Sequence, residues 1–258
     1  MREIWENRIT HMQCPRIVTI IGGGGKTSLL YYLLTVVNEM GLAAVGTSTT
    51  KLSSHCLSGA SFFTIKSIEE GYQAVKEIIH GKEHKIIMYG QDPSNSEKML
   101  GISSEWIEQL AMQAQETIFV VEGDGAAGKP IKGHASYEPV IPSGSSLVIV
   151  MIGIDGVGKK VNFQYAHRPH RICELVGAKP ESLITIEMIA KLLFHPQGYL
   201  HNCPTESQII FFINKVESND QYKQAEALAK KIIDCKHPQV TGIIIGSIKK
   251  GEGVWLQG

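Results

Sequence analysis

The sequence has few features that would place it outside the ordinary α/β classes. Its cysteines, Cys14, Cys56, Cys173, Cys203 and Cys235, are odd in number and widely spaced, with no C-x-x-C pair. That spacing excludes a disulfide framework and a zinc knuckle, and points to scattered reduced thiols in a cytoplasmic protein. Charge of one sign is not in surplus: 25 Lys+Arg balance 25 Asp+Glu. A protein held to DNA, RNA or anionic lipid by bulk charge needs an excess of Lys/Arg, so nucleic-acid and membrane-surface binding are not expected. A long apolar run is also missing. The most apolar stretch, Pro139 to Ile154, spends its first half on prolines, serines and glycine, and a membrane span needs about 20 consecutive apolar residues. Arg2, Glu3, Glu6 and Arg8 near the start leave no room for a signal-peptide apolar region. No internal repeat, low-complexity tract, charge block or nucleophile elbow is present.

What is there alternates. Short β-branched runs at Arg16–Ile21, Leu42–Thr47, Ser61–Ile65, Lys85–Tyr89, Thr117–Glu122, Leu147–Ile152, Gln208–Ile213 and Val240–Gly246 read as strands. Between them lie stretches of helical period, which is the pattern of a mostly parallel sheet covered on both faces, a doubly wound α/β fold. Ser67 and Glu70 form a capping box, and Ile68, Tyr72, Val75 and Ile79 follow as an apolar stripe ending at Gly81. Trp106, Leu110 and Ala114 make a second stripe; Tyr222, Ala225, Leu228 and Ile232 make a third. The expected organisation is one domain over residues 1–258, with a small helical insertion at 171–198 on an edge of the sheet. The Gly/Pro/Ser-rich connection Gly123–Ser146 is long for a structureless loop, and such loops are usually functional.

The sharpest motif follows the first strand: Gly22, Gly23, Gly24, Gly25, Lys26, Thr27 and Ser28 open the apolar segment Leu29–Met40. Strand, glycine loop, Lys-Thr and helix is P-loop context. Glycines let backbone N–H groups turn inward around phosphate oxygens, and the helix N-terminus adds partial positive charge. Lys26 would reach the β- and γ-phosphates, and Thr27 would offer its hydroxyl to Mg²⁺. The standard spacing wants a glycine where Ile20 stands, so the loop is short. An acidic partner is supplied at the end of the strand before Gly123, where Glu122 and Asp124 are candidates for the metal or a metal-bound water, and so for catalysis. Asp155, after another apolar strand, competes for that role.

Asn214, Lys215 and Glu217 follow a buried strand and resemble the N-K-x-D guanine-recognition motif of GTPases. Glu in place of Asp moves the carboxylate by about 1.5 Å and spoils bidentate pairing unless the backbone compensates, so GTP and ATP both stay open. Thr49 and Lys51, in the run Thr47–Lys51, could line a substrate site. So could Lys132 and Glu138 in the irregular connection, and His167 and Arg168 after it, since a guanidinium forks onto anionic oxygens.

The order of these motifs, I-G-G-G-G-K-T, T-S-T-T-K, V-V-E-G-D-G-A-A-G-K-P-I-K, Y-E-P-V-I-P, G-I-D-G-V-G-K, H-R-P and N-K-V-E, resembles the selenium-dependent molybdenum hydroxylase accessory proteins of the YqeC type, from about Ile17 to Ile245. The short glycine loop is that family's own form. Gly123, Tyr137 and Glu217 depart from its usual Ala, His and Asp. The resemblance implies a cytoplasmic protein that assists maturation or cofactor insertion of its client enzyme, without implying a reaction. The residues themselves leave three readings open: a nucleotide hydrolase using Mg²⁺, a phosphoryl- or nucleotidyl-transferase acting on a small anionic acceptor such as a molybdopterin-type cofactor, and a non-catalytic nucleotide-sensing module.

Overall fold

A strand whose residues are apolar on both faces is stable only inside a sheet that is covered on both sides, and the chain arranges such strands around β1 (Ile17–Gly22), all six of whose residues are buried. The computed structural model describes residues 1–13, 16–53, 62–81, 84–88, 90–92 and 94–257; Cys14, Cys56, Ser61 and Tyr89 lie outside the described residues. In chain order the elements are α1 (Arg2–Thr10), β1, α2 (Lys26–Glu39), β2 (Ala44–Ser48), β3 (Leu52–Ser53), β4 (Phe62–Thr64), α3 (Ile68–Gly81), β5 (His84–Met88), β6 (Gly90–Asp92) and β7 (Asn95–Leu100). They continue with α4 (Ser104–Gln113), β8 (Ile118–Glu122), β9 (Ile131–Lys132), β10 (Ser145–Gly153), β11 (Ala166–His167), α5 (Pro169–Val176), α6 (Ile186–Phe194), β12 (Gln208–Asn214), α7 (Asn219–Asp234), β13 (Val240–Ser247) and β14 (Glu252–Gln257).

The main sheet has nine strands in the order β14-β13-β12-β10-β1-β8-β2-β5-β4. Only β14 is antiparallel. Side-chain alternation on β1 shows how the layers form: Val18 and Ile20 pack under α2 and α1, against Leu29, Leu33, Val37 and Trp5. Ile17 and Ile21 point to the opposite face. There α3 and α4 cover Val45, Phe119 and Val121, while α5, α6 and α7 cover Val148, Val150, Phe211 and Ile213. The sheet is therefore doubly wound and mostly parallel, and all eight strands read from the sequence are present.

Two expectations are corrected. The helical pair at 171–198 does not decorate an edge: Ile172, Ile189 and Leu192 share a core cluster with β10 and β12, two interior strands. The apolar stripe of α3 is also rotated, because Gly71 comes close to Leu110 of α4 and draws the small side inward. Gly71, Ala74, Val75 and Ile78 are buried, while Ile79 is 41% exposed. The Ser67 hydroxyl caps this helix by accepting the Glu70 N–H, and the Glu70 carboxylate accepts the N–H of Lys66 rather than that of Ser67.

Parallel register fixes what meets at the carboxyl end of the sheet. Glu122 lies opposite both Ile20 and Ser48, Gly22 opposite Met151, and Gly153 opposite Asn214. From β1 the chain steps to β2 on one side and later reaches β10 on the other, so strand order reverses there, which is where open α/β sheets leave a crevice for ligands.

Candidate functional site at the carboxyl end of the sheet

The glycine loop is held by its neighbours. Gly22 donates its N–H to both carboxylate oxygens of Asp124, at 3.1 and 3.0 Å. Gly23 donates to Met151 O at 3.0 Å and Gly24 to Lys129 O at 2.9 Å. Those amides are consumed, which leaves the first turn of α2, where helix geometry gives the N–H groups no intrahelical acceptor, to face a ligand. Gly25 caps that turn at φ 127°, and a Cβ there would lie 2.6 Å from Asn214 Nδ2. Both the backbone region and the crowding exclude a side chain. Gly25→Ala is expected to lower stability by about 1–3 kcal/mol, measured by urea unfolding.

Asn214 explains part of that crowding. Its Nδ2 donates to Gly24 O at 2.7 Å and its Oδ1 accepts from Ile248 N–H at 3.0 Å, so the buried amide braces the loop with both ends occupied. Lys26 reaches back over the loop to Gly22 O at 2.7 Å, with Asp124 at 3.2 Å and Glu122 at 3.7 Å. Burial pushes the Lys26 ammonium down, but the two carboxylates outweigh it and hold it protonated.

The two candidate carboxylates have different surroundings. Asp124 is fully buried and is met by Lys26, by Lys132 at 3.3 Å and by the His134 Nε2–H at 2.6 Å. Burial alone would raise its carboxyl; Lys26, the His134 bond and Lys132 together take it far below the usual range. Glu122 lines the cavity and accepts the Thr27 hydroxyl at 2.8 Å. Burial raises its carboxyl against the pull of Lys26 and Thr27. A hydroxyl that donates to a carboxylate keeps its lone pairs for a hard cation, so the Thr27–Glu122 pair has the oxygen chemistry Mg²⁺ takes, whereas the oxygens of Asp124 are spent on protein donors.

Behind Asp124 runs a second buried relay. Lys132 also bonds Glu138 at 3.0 Å and Gly125 O at 2.5 Å, and Glu138 accepts from the Arg168 guanidinium. Burial would raise the Glu138 carboxyl, but Arg168 and Lys132 lower it. The two-stranded pairing of β9 with β11 sets His167 beside Lys132. Burial, then Lys132 and Arg168, push the His167 imidazole down to about 4; burial similarly keeps His134 neutral against the pull of Asp124. His134 also stacks edge-on against Tyr199 at 4.8 Å, whose hydroxyl accepts the Lys132 N–H at 2.8 Å. The sequence reading assigned no role to His134 or Tyr199; the K-P-I-K-G-H stretch carries a signal for the first, and nothing local marks the second.

Both histidines are neutral when folded and protonate at an ordinary 6.5 when unfolded. Between pH 6.5 and about 4 the unfolded chain therefore binds more protons, and stability rises with pH across that window. His167→Gln is expected to make that slope shallower, with His134 supplying the remainder, as read by denaturant unfolding across the window.

These elements open onto a cavity of about 770 Å³. Gly24, Gly25, Lys26, Thr27, Ser28 and Glu122 form one wall, while Lys51, Lys129, Glu138, His167, Arg168 and Lys215 come from other elements. Lys98, from β7, lines it too. The lining has six cationic side chains, Lys26, Lys51, Lys98, Lys129, Arg168 and Lys215, against two carboxylates, Glu122 and Glu138. Such a surplus in a concave site concentrates anions. Other sequence candidates lie off the wall. Lys132 and Asp124 are behind it, Thr49 spends its hydroxyl on Val140 O at 2.8 Å, and Glu217 is exposed, its N–H donated to Gln221. Asp155 pairs with Lys215 at 2.8 Å.

The YqeC protein family matches residues 18–170. The chain belongs to the YqeC family. Over 238 residues it is 26% identical to the Escherichia coli (strain K12) protein described as "Uncharacterized protein YqeC", covering 92% of this chain and 89% of that one. Among solved structures it is similar to the signal recognition particle receptor FtsY from Elizabethkingia anophelis, at 10% identity and a TM-score of 0.40, over 94% of this chain; the match spans 64% of the FtsY chain. It is also similar to the hydrogenase maturation factor HypB from Archaeoglobus fulgidus, at 14% identity and a TM-score of 0.37, over 98% of this chain and 89% of that one. The family match covers β1 through β11, and so includes the glycine loop, Glu122 and Arg168. No helix among the described residues is long and apolar enough to cross a membrane.

Proposed function

We propose that this YqeC-family protein binds a nucleoside triphosphate with Mg²⁺ and hydrolyses it, as an accessory protein in the maturation of selenium-dependent molybdenum hydroxylases. The observation that carries the reading is the juxtaposition of open α2 amides, buried Lys26 and the Thr27–Glu122 pair on one wall of a cationic cavity. The first-turn amides and the Lys26 ammonium hold phosphate oxygens, and Thr27 and Glu122 hold the metal. When bound, Mg²⁺ supplies neutralisation of the charge that develops during phosphoryl transfer. Asp124 and Asn214 position the loop. The client follows from the resemblance to the accessory proteins of this type.

The base lies toward Lys215, which lines the cavity. Because Glu217 stands outside and Asn214 is occupied, the N-K-x-E motif itself places no carboxylate to read a guanine edge, and sites without such polar readout discriminate weakly. GTP and ATP affinities are expected to lie within about tenfold of each other.

Phosphate release from Mg²⁺-nucleotide tests the reaction. The wild type turns over, and Glu122→Gln still binds nucleotide but loses its response to Mg²⁺ and slows by on the order of a hundredfold. Tight nucleotide binding with no release from the wild type would replace hydrolysis with the sensing-module reading.

A further inference from the structure

The nucleotide reading uses only part of the cavity. In the sheet, β12 with Lys215 at its end lies to one side of β1, beyond β10; β2 lies to the other side, beyond β8. A nucleotide running from the glycine loop toward Lys215 therefore points away from the β2 side. On that side Ser53 pairs in register with Lys98, and both line the cavity. Lys98 is exposed and Lys129 half-buried, and neither ammonium has a carboxylate partner among the described residues. A triphosphate held at the glycine loop by Lys26, the α2 amides and Mg²⁺, and running toward Lys215, leaves these two ammonium groups on the other side of the loop without an anion. Arg168 adds a guanidinium whose Nη groups bond Glu138, Tyr137 and Gly133 O, which leaves its Nε–H without an acceptor among the described residues. Two lysines without a carboxylate partner among the described residues, lining one cavity with a guanidinium that shares Glu138 with Lys132, favour a dianion over a single carboxylate, and Arg with Lys is a common grip on phosphate.

We propose that the cavity is a two-ligand site: beside the metal nucleotide, on the β2 side of the glycine loop, it binds a small molecule bearing a phosphate monoester, held by Lys98, Lys129 and Arg168. The His167 ring lines the same cavity, makes no hydrogen bond among the described residues, and is neutral at ordinary pH, so its free ring nitrogen can accept a hydrogen bond from that ligand. This deepens the nucleotide reading and rests on it for which half of the cavity the phosphate takes.

Equilibrium dialysis with labelled inorganic phosphate, run on the full chain saturated with a non-hydrolysable Mg²⁺-nucleotide, tests it. The expected result is phosphate held alongside the nucleotide, and held at least about tenfold more weakly by Lys98→Ser/Lys129→Ser, whose nucleotide affinity and unfolding midpoint match the wild type. Phosphate expelled by saturating nucleotide, or retained equally by the double variant, overturns the second site. Nucleotide uptake is measured on the same samples. If the wild type takes none, the nucleotide reading fails, and the phosphate measurement is repeated on Lys26→Met with and without the two serine substitutions. Lysine-dependent retention there sustains the subsite, and its absence overturns it.

Discussion

Asp124→Asn is expected to destabilise the protein by about 3–5 kcal/mol, seen as a lower denaturant midpoint. The substitution changes shape little, so no cavity or clash enters the effect. What changes is charge: Asp124 is the carboxylate shared by two buried ammonium groups, Lys26 at 3.2 Å and Lys132 at 3.3 Å, and it also accepts the single Gly22 N–H and the His134 ring N–H. A neutral amide leaves both ammoniums short of a counter-ion, and breaking a buried pair from one side exposes the full desolvation penalty of what remains. The pH dependence has a definite sign. A carboxylate whose folded value is depressed stabilises fully above its ordinary 3.8 and loses that contribution as pH falls below it. Asp124→Asn should therefore flatten the acid limb of the wild-type stability curve. A wild-type-like midpoint in this variant would show that the network is ornamental to the fold.

Lys26→Met is expected to reverse the balance, with a modest effect on stability and a loss of nucleotide affinity on the order of a hundredfold or more. Methionine fills the same buried channel. Asp124 keeps Lys132 and His134, and Glu122, whose carboxyl is already raised by burial, can take a proton. The phosphate, however, loses the one ammonium aimed at it from inside the loop. Calorimetry and unfolding on the same preparation separate the two effects. Comparable losses of stability in Lys26→Met and Asp124→Asn would mean that Lys26 serves the fold rather than a ligand.

The sheet was readable because its strands are buried twice over. Val18, Ile20, Val120, Ile149 and Phe212 face one layer and Ile17, Val121, Val150 and Phe211 the other, so each strand is a near-continuous apolar run. Elements that bury little left little trace. α1 anchors a polar sequence with Trp5 and Ile9. The edge strand β14 alternates weakly and is held by Trp255, over which Arg8 stacks at 4.0 Å. The antiparallel β3-β7-β6 sheet and the two-residue β9 and β11 have no periodicity to detect. At the site, the glycine loop was legible because four consecutive glycines before Lys-Thr have few other uses. The division of labour between Glu122 and Asp124 was not: they stand two apart at a strand end, and only the positions of Lys132, His134 and Thr27, distant in sequence, send one inward and leave the other at the cavity wall. Likewise N-K-x-E reads as a base-recognition motif, yet Asn214 is taken by Gly24 and Ile248, a partnership set by strand order.

Calorimetric titration with ATP, GTP and CTP, with and without Mg²⁺, tests most directly whether this cavity is a metal-nucleotide site. A purine triphosphate binding at one per chain, more tightly with Mg²⁺ and lost in Lys26→Met, is the predicted result. Binding of none of them, or binding that Lys26→Met leaves intact, would contradict it.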